Sequence, residues 1–74
     1  MVIHSVDQSL KKALSAHKSG SFKEATSILE NILETDPRHS DANHCMGGVL
    51  VSLGKINEAL PFFRAALEEN FSSA

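Results

Sequence analysis

The residues best suited to chemistry lie close together near the middle of the 74-residue chain, where two histidines accompany the only cysteine. His39, His44 and Cys45 can all bind zinc, but a zinc site needs four ligands, commonly in pairs spaced as CxxC or HxxxH. Because no such pair is present, we predict no metal and no other cofactor. His44 and Cys45 could also act as base and nucleophile. Neighbouring residues on a helix point about 100° apart, however, so the imidazole is poorly placed to activate the thiol.

The acidic residues suggest no acid–base pair either. They fall mostly on the polar sides of the helices predicted below, and Glu30 and Glu34 are expected to be like-charge neighbours on one helix. There is no glycine-rich phosphate-binding loop after a strand. We therefore predict that the chain is not an enzyme.

Bulk properties narrow the class of protein further. With a formal net charge of -2 and a pI near 6.0, the chain has no basic field for nucleic acid, and only Lys11 and Lys12 are adjacent cations. No apolar run approaches the roughly 18 residues of a membrane span. A single cysteine allows no internal disulfide, so we expect a cytoplasmic protein. Residues 1–74 are expected to form one domain.

Chain-breaking residues divide the sequence into four stretches that are long enough for helices. The breaks are Gly20, Asp36 with Pro37, and Gly54. Apolar residues recur within each stretch at intervals of three and four, which predicts four amphipathic helices at 6–18, 22–35, 41–53 and 56–70. No stretch shows the alternation of a half-buried strand, so the predicted fold is all-α.

The starts of three helices carry capping signals. Ser5 and Ser21 are each followed three residues later by Gln or Glu, which predicts a capping box at both places. Ser40 or Asp41 is predicted to cap the third helix.

The sequence also repeats itself after 34 residues. Shifting the chain by that distance superimposes identical residues at six positions, which indicates two units at about 6–39 and 40–73. These pairs are Asp7 with Asp41, Gly20 with Gly54, Glu24 with Glu58, Ala25 with Ala59, Leu33 with Leu67 and Glu34 with Glu68.

This period and its motif resemble the tetratricopeptide repeat, a 34-residue helix-turn-helix unit with the pattern W-x2-L-G-x2-Y, then A-x3-F, then P. The second unit reads Asn43-x2-Met46-Gly47-x2-Leu50, then Ala59-x3-Phe63. The tryptophan and tyrosine positions hold other residues in both units. The resemblance implies two helix-turn-helix repeats that form a short right-handed solenoid, with small residues where the helices of a pair meet.

In that family the first helix of each pair lines a concave groove that binds peptides or helices of other proteins. The resemblance therefore implies a protein or peptide partner, and a partly apolar one, because Leu10, Leu14 and Val51 are among the lining residues. The alternative is that the chain is a repeat segment of a larger enzyme, such as a glycosyl- or sulfotransferase, with its activity elsewhere. The implied lining residues are Asp7, Leu10, Lys11, Leu14, His17, Lys18, Asp41, His44, Cys45, Gly48, Val51 and Ser52.

The fourth helix has more apolar surface than two units can cover. We expect one stripe, Ile56, Ala59, Phe63 and Ala66, to pack within its own pair. The excess predicts a homodimer, or contact with a further repeat of a longer parent protein. The residues predicted for this self-association are Leu60, Phe62, Phe63, Leu67 and Phe71.

Overall fold

The computed structural model describes residues 5–72, with side chains from residue 6 to residue 68. This part of the chain contains four helices and no strand, which confirms the all-α prediction. The helices are α1 (Ser5–Lys18), α2 (Phe22–Thr35), α3 (Ser40–Ser52) and α4 (Ile56–Ser72). Each observed boundary lies within two residues of its predicted position.

The turns inside the two units are alike. Gly20 and Gly54 have φ angles of 85° and 81°, in the left-handed region that glycine adopts without steric cost. At the end of α1 the amide of Ser21 donates to the carbonyl of Ala16, and at the end of α3 Lys55 donates to Leu50 in the same way. Each glycine thus ends its helix with the same hydrogen-bonded C-cap, one repeat apart.

The predicted N-cap residue is confirmed for α2 and wrong for α3. Ser21 is the N-cap residue of α2, but its side chain makes no capping hydrogen bond, so the predicted capping box does not form. At α3 the cap is His39, whose Nδ1 accepts a hydrogen bond from the amide of Ala42 at 3.1 Å. The backbone of His39 is extended and α3 begins at Ser40, so Ser40 and Asp41 already lie inside the helix. The side chain of Ser5 lies outside the described residues.

Asn43 holds the connection between α2 and α3. It is the one buried polar side chain recorded among the described residues, and its Nδ2 donates to the carbonyls of Pro37 and His39. Satisfying a buried amide in this way avoids the cost of an unpaired donor. Asn43, which occupies the tryptophan position of the motif, therefore stabilises the loop between the two units.

α3 is the central helix of the fold. α1 packs against α2, and α3 packs against α4, as expected for helices joined by turns of a few residues. α3 also contacts α2 and, less extensively, α1, whereas within residues 5–72 no close backbone contact joins α2 to α4. The shared core consists of Leu10, Ala13, Ala16, Ala25, Leu29, Ile32, Ala42, Met46, Val49, Leu50 and Ala59.

Small residues lie at the helix crossings, as the repeat motif implies. Ala25 and Ala59 are fully buried, and Ala13 nearly so. At Gly47 an added Cβ would lie only 2.6 Å from Cε1 of Phe63. The helices of a pair therefore approach too closely at these positions for a larger side chain.

Candidate functional site

The surface shared by α1 and α3 contains a cluster formed by three of the implied groove residues. Nε2 of His17 and Oγ of Ser52 are 2.8 Å apart, in a hydrogen bond whose direction depends on the imidazole tautomer. Gly48 leaves room beneath the ring, since a Cβ there would lie 3.5 Å from Cε1 of His17. Phe22 meets the same ring edge-on, with the centroids 5.7 Å apart. The imidazole thus joins the two units across this surface.

Two apolar side chains lie beside this cluster, one helical turn away. Leu14 precedes His17 on α1 and is 46% exposed, while Val51 follows Gly48 on α3 and is 41% exposed. Leu10, which the resemblance also assigned to the lining, is only 8% exposed and belongs to the core. Since α1 packs against both α2 and α3, this leucine faces them and not an open surface.

The other implied groove residues differ in their surroundings. His44 is exposed but meets Phe63 of α4 edge-on, with the ring centroids 5.6 Å apart, so its ring lies toward α4. Cys45 is half-buried against the core. Burial, and secondarily the carboxylate of Asp41, raise the pKa of the Cys45 thiol, which opposes the thiolate form that a nucleophile requires. The remaining members are exposed on α1 and α3, namely Asp7, Lys11, Lys18 and Asp41.

A second feature is an apolar stripe along α4, made of Ile56, Leu60, Phe63 and Leu67, which we call the α4 stripe. These residues follow the helical spacing i, i+4, i+7 and i+11. Ile56 and Leu60 are 54% and 53% exposed, Leu67 is 56% exposed, and Phe63 is half-buried. The expectation that Ile56 packs within its own pair is therefore wrong.

The internal repeat explains why this stripe is open. One repeat earlier, α2 carries Phe22, Thr26, Leu29 and Leu33, and none of these is exposed. Leu29 is fully buried because α3 of the next unit packs against α2. Within the described residues no helix packs against α4 in the corresponding place, and a shallow cleft of about 470 Å³ lies there instead. It is lined by Ser40, Asp41, His44, Phe63, Ala66 and Leu67.

The structure separates two phenylalanines that the self-association prediction grouped together. Phe62 lies in a different cleft, between α2 and α4, and packs against the core. Consecutive helical residues point about 100° apart, so Phe62 and Phe63 face different surfaces. The side chain of Phe71, the last residue of the predicted set, lies outside the described residues.

The cleft between α2 and α4 has a volume of about 640 Å³ and was not predicted from the sequence. Its floor is apolar and comes largely from α3, whereas three of the four charged residues at its rim are acidic. The spacing of Glu30 and Glu34 was a signal for the acidic wall, but the cleft itself depends on how far α2 stands from α4. Its lining residues are Thr26, Glu30, Asn31, Leu33, Glu34, Met46, Leu50, Leu53, Lys55, Glu58 and Phe62.

The described part of the chain offers neither a cluster of metal ligands nor a membrane-spanning helix. It contains no group of three or more His, Cys, Asp or Glu side chains placed to hold a metal ion. None of its helices combines the length and hydropathy needed to cross a membrane.

Two helical hairpins with equivalent turns and equivalent buried small residues, one repeat apart, define an α-helical repeat protein. The family model of the tetratricopeptide repeat matches residues 16–74, and the chain belongs to that family. Repeats of this family generally mediate protein–protein interactions and are typically non-enzymatic. No curated protein and no solved structure matches the chain significantly.

Proposed function

We propose that the chain binds a peptide or helix of another protein across the surface shared by α1 and α3. The observation that carries this proposal is the cluster of His17, Gly48 and Ser52, which joins two helices of different units into one surface. Leu14 and Val51 on either side supply apolar contact area that the fold itself does not use. Single exposed apolar residues are ordinary, but two that flank a fixed polar cluster support the proposal of a binding site here.

The charged residues around this surface indicate which charges the partner segment carries. Asp7 and Asp41 offer carboxylates, and Lys11 and Lys18 offer ammonium groups, all of them exposed. A complementary segment carries both signs of charge around an apolar centre, since matched rim charges fix register and suppress wrong partners. A cytoplasmic location is part of the same proposal and is supported by Cys45, the only cysteine of the chain, which is unpaired.

We expect Leu14→Glu or Val51→Glu to weaken partner binding by about tenfold or more, because a carboxylate would be pressed against an apolar contact. Both positions are exposed, so the helical circular dichroism spectrum should hardly change. The measurement is the amount of partner protein that is recovered by photo-crosslinking. One variant carries the photo-crosslinking residue at position 51 and glutamate at position 14, and a second variant exchanges these two positions.

The matched control introduces the same charge on another face. Ser27 is exposed on α2, and Ser27→Glu should leave partner recovery unchanged. Equal losses from Ser27→Glu and Leu14→Glu would contradict the assignment of the binding surface to α1 and α3.

A second candidate function, self-association through the α4 stripe, is favoured by the difference between the two ends of the molecule. The inner face of α3 buries Ala42, Met46 and Val49 against the first unit. The corresponding positions of α1, 34 residues earlier, are polar and exposed. They hold Gln8, Lys12 and Ser15.

The polar face of α1 affects how two copies of the chain would pair. Head-to-tail stacking would place the α4 stripe of one copy on the polar face of α1 in the next, which buries Lys12 without a gain in apolar contact. Pairing of two identical α4 faces about a twofold axis instead covers apolar surface with apolar surface. We therefore propose that any homodimer is formed by the α4 stripes, with His44 at their edge.

We expect sedimentation equilibrium at micromolar concentration to show a dimer, and the double substitution Leu60→Glu and Leu67→Glu to convert it to a folded monomer. Both leucines are more than half exposed, so charges are tolerated in the monomer but repel one another across a twofold interface. Leu14→Glu changes a similarly exposed leucine on a different surface and should leave the dimer intact. A monomeric unmodified chain would overturn this candidate.

A further inference from the structure

We propose that the cleft between α2 and α4 is a second binding surface, distinct from the one on α1 and α3, and that it binds a basic peptide segment with an apolar anchor. The two surfaces use opposite sides of α3. Met46 and Leu50 reach the cleft, whereas Gly48 and Ser52 face α1. At about 100° per residue, the first pair points nearly opposite to the second.

The shape of the cleft suits a short segment. Its walls are α2 and α4, which have no close backbone contact within the described chain, and α3 closes the bottom. A volume of about 640 Å³ falls within the roughly 300–1,000 Å³ that is typical of ligand sites.

The floor of the cleft provides the place for an apolar anchor. Met46 and Leu50 are buried there, and Leu33 and Phe62 are half-buried. Leu53, at the end of α3, remains 42% exposed. A leucine- or methionine-sized side chain laid on this floor would cover the exposed part of Leu53 and gain the free energy of removing apolar surface from water.

The rim determines the charge of the occupant. Glu30 and Glu34 on α2 and Glu58 on α4 line the cleft, against a single cation, Lys55. Glu30 and Glu34 are one helical turn apart, where like charges destabilise a helix slightly. A lysine or arginine held between them would relieve this repulsion and match the excess of negative charge. Apolar floor and acidic rim together thus require a cationic, amphipathic segment.

The test is an NMR titration of the ¹⁵N-labelled chain with a peptide in which one leucine is flanked on each side by two lysines in a Gly-Ser background. We expect amide shifts at Glu30, Glu34, Leu53 and Glu58 that fade as the salt concentration rises, because exposed ion pairs are screened. A peptide with glutamine in place of lysine, and one with serine in place of leucine, should bind much more weakly.

The affinity of the lysine peptide for variants of the chain tests whether the peptide binds in this cleft. The double substitution Glu30→Gln and Glu34→Gln should raise the apparent dissociation constant of the lysine peptide about tenfold, since two exposed charge pairs are lost. The double substitution Glu24→Gln and Glu68→Gln makes the same charge change outside the cleft and should have little effect. Leu53→Ser should weaken binding without unfolding the chain, because Leu53 is substantially exposed.

Three outcomes would overturn the proposal. They are shifts confined to the surface of α1 and α3, shifts that persist unchanged when Glu30 and Glu34 are both neutralised, and equal binding of the glutamine peptide. Leu14→Glu separates this proposal from the proposed function, since it should leave the titration with the lysine peptide unchanged while weakening capture of the partner on α1 and α3.

Discussion

Ala59→Leu is expected to lower the free energy of unfolding by about 1–3 kcal/mol, the usual cost of forcing extra methylene groups into a packed core. Ala59 is fully buried and belongs to the core that α4 shares with α3. In a domain of this size each kcal/mol shifts the melting temperature by roughly 4–8 °C, so the change is large in thermal denaturation followed by circular dichroism.

The same substitution at an exposed position of the same helix provides the control. Asn57→Leu adds a leucine to α4 in contact with solvent and should change stability by no more than about 0.5 kcal/mol. Ala25→Leu, one repeat earlier, should behave like Ala59→Leu, because Ala25 is also fully buried. An unchanged melting temperature for Ala59→Leu would show that the alignment of the two repeats is wrong.

The second large effect is expected at Gly47, where valine should destabilise the chain by about 1–3 kcal/mol. A Cβ at this position would lie 2.6 Å from Cε1 of Phe63, and its methyl groups would force the aromatic ring away from α3. Displacing the ring also breaks its edge-on contact with His44. The loss exceeds the small gain in helix propensity that follows from replacing a helical glycine.

Gly48, the next residue on the same helix, is the control for adding a Cβ to a glycine of α3. A Cβ there would make an ordinary contact of 3.5 Å with Cε1 of His17, so Gly48→Ala should stabilise α3 by roughly 0.5–1 kcal/mol. In a double-mutant cycle, Phe63→Leu should remove much of the penalty of Gly47→Val, because the two side chains compete for the same space. Additive effects of Gly47→Val and Phe63→Leu in chemical denaturation would contradict that explanation.

The fold was predictable because its signals are local and occur twice. Gly20 and Gly54 end helices with positive φ angles, and Pro37 cannot continue α2, so three helix ends could be placed from single residues. The prediction failed at the N-cap of α3, where several neighbouring residues could act as the cap. Ser40 and Asp41 are good capping residues, yet His39 caps α3, because the chain turns one residue earlier and brings its Nδ1 to the amide of Ala42.

The candidate site was predictable only in part. The alignment of the repeats placed His17 and Ser52 in one implied lining, but it did not predict the hydrogen bond between their side chains, which lie 35 residues apart in the sequence. It did not show that Leu10 would be buried by α2 and α3, or that His44 would pack on Phe63 instead of facing α1. These outcomes depend on small rotations of each helix about its axis, which a pattern of similar residues leaves undetermined.

By itself the sequence determined the number of helices, their ends, the 34-residue period and the small residues at the crossings, since each follows from backbone sterics or from spacing along one helix. Only the tertiary structure decided which apolar residues remain uncovered. Leu29 and Phe63 occupy the same position in two similar units, yet the first is fully buried and the second lines an open cleft. The physical reason is that α2 has α3 packed against it, whereas no described helix occupies the corresponding place on α4.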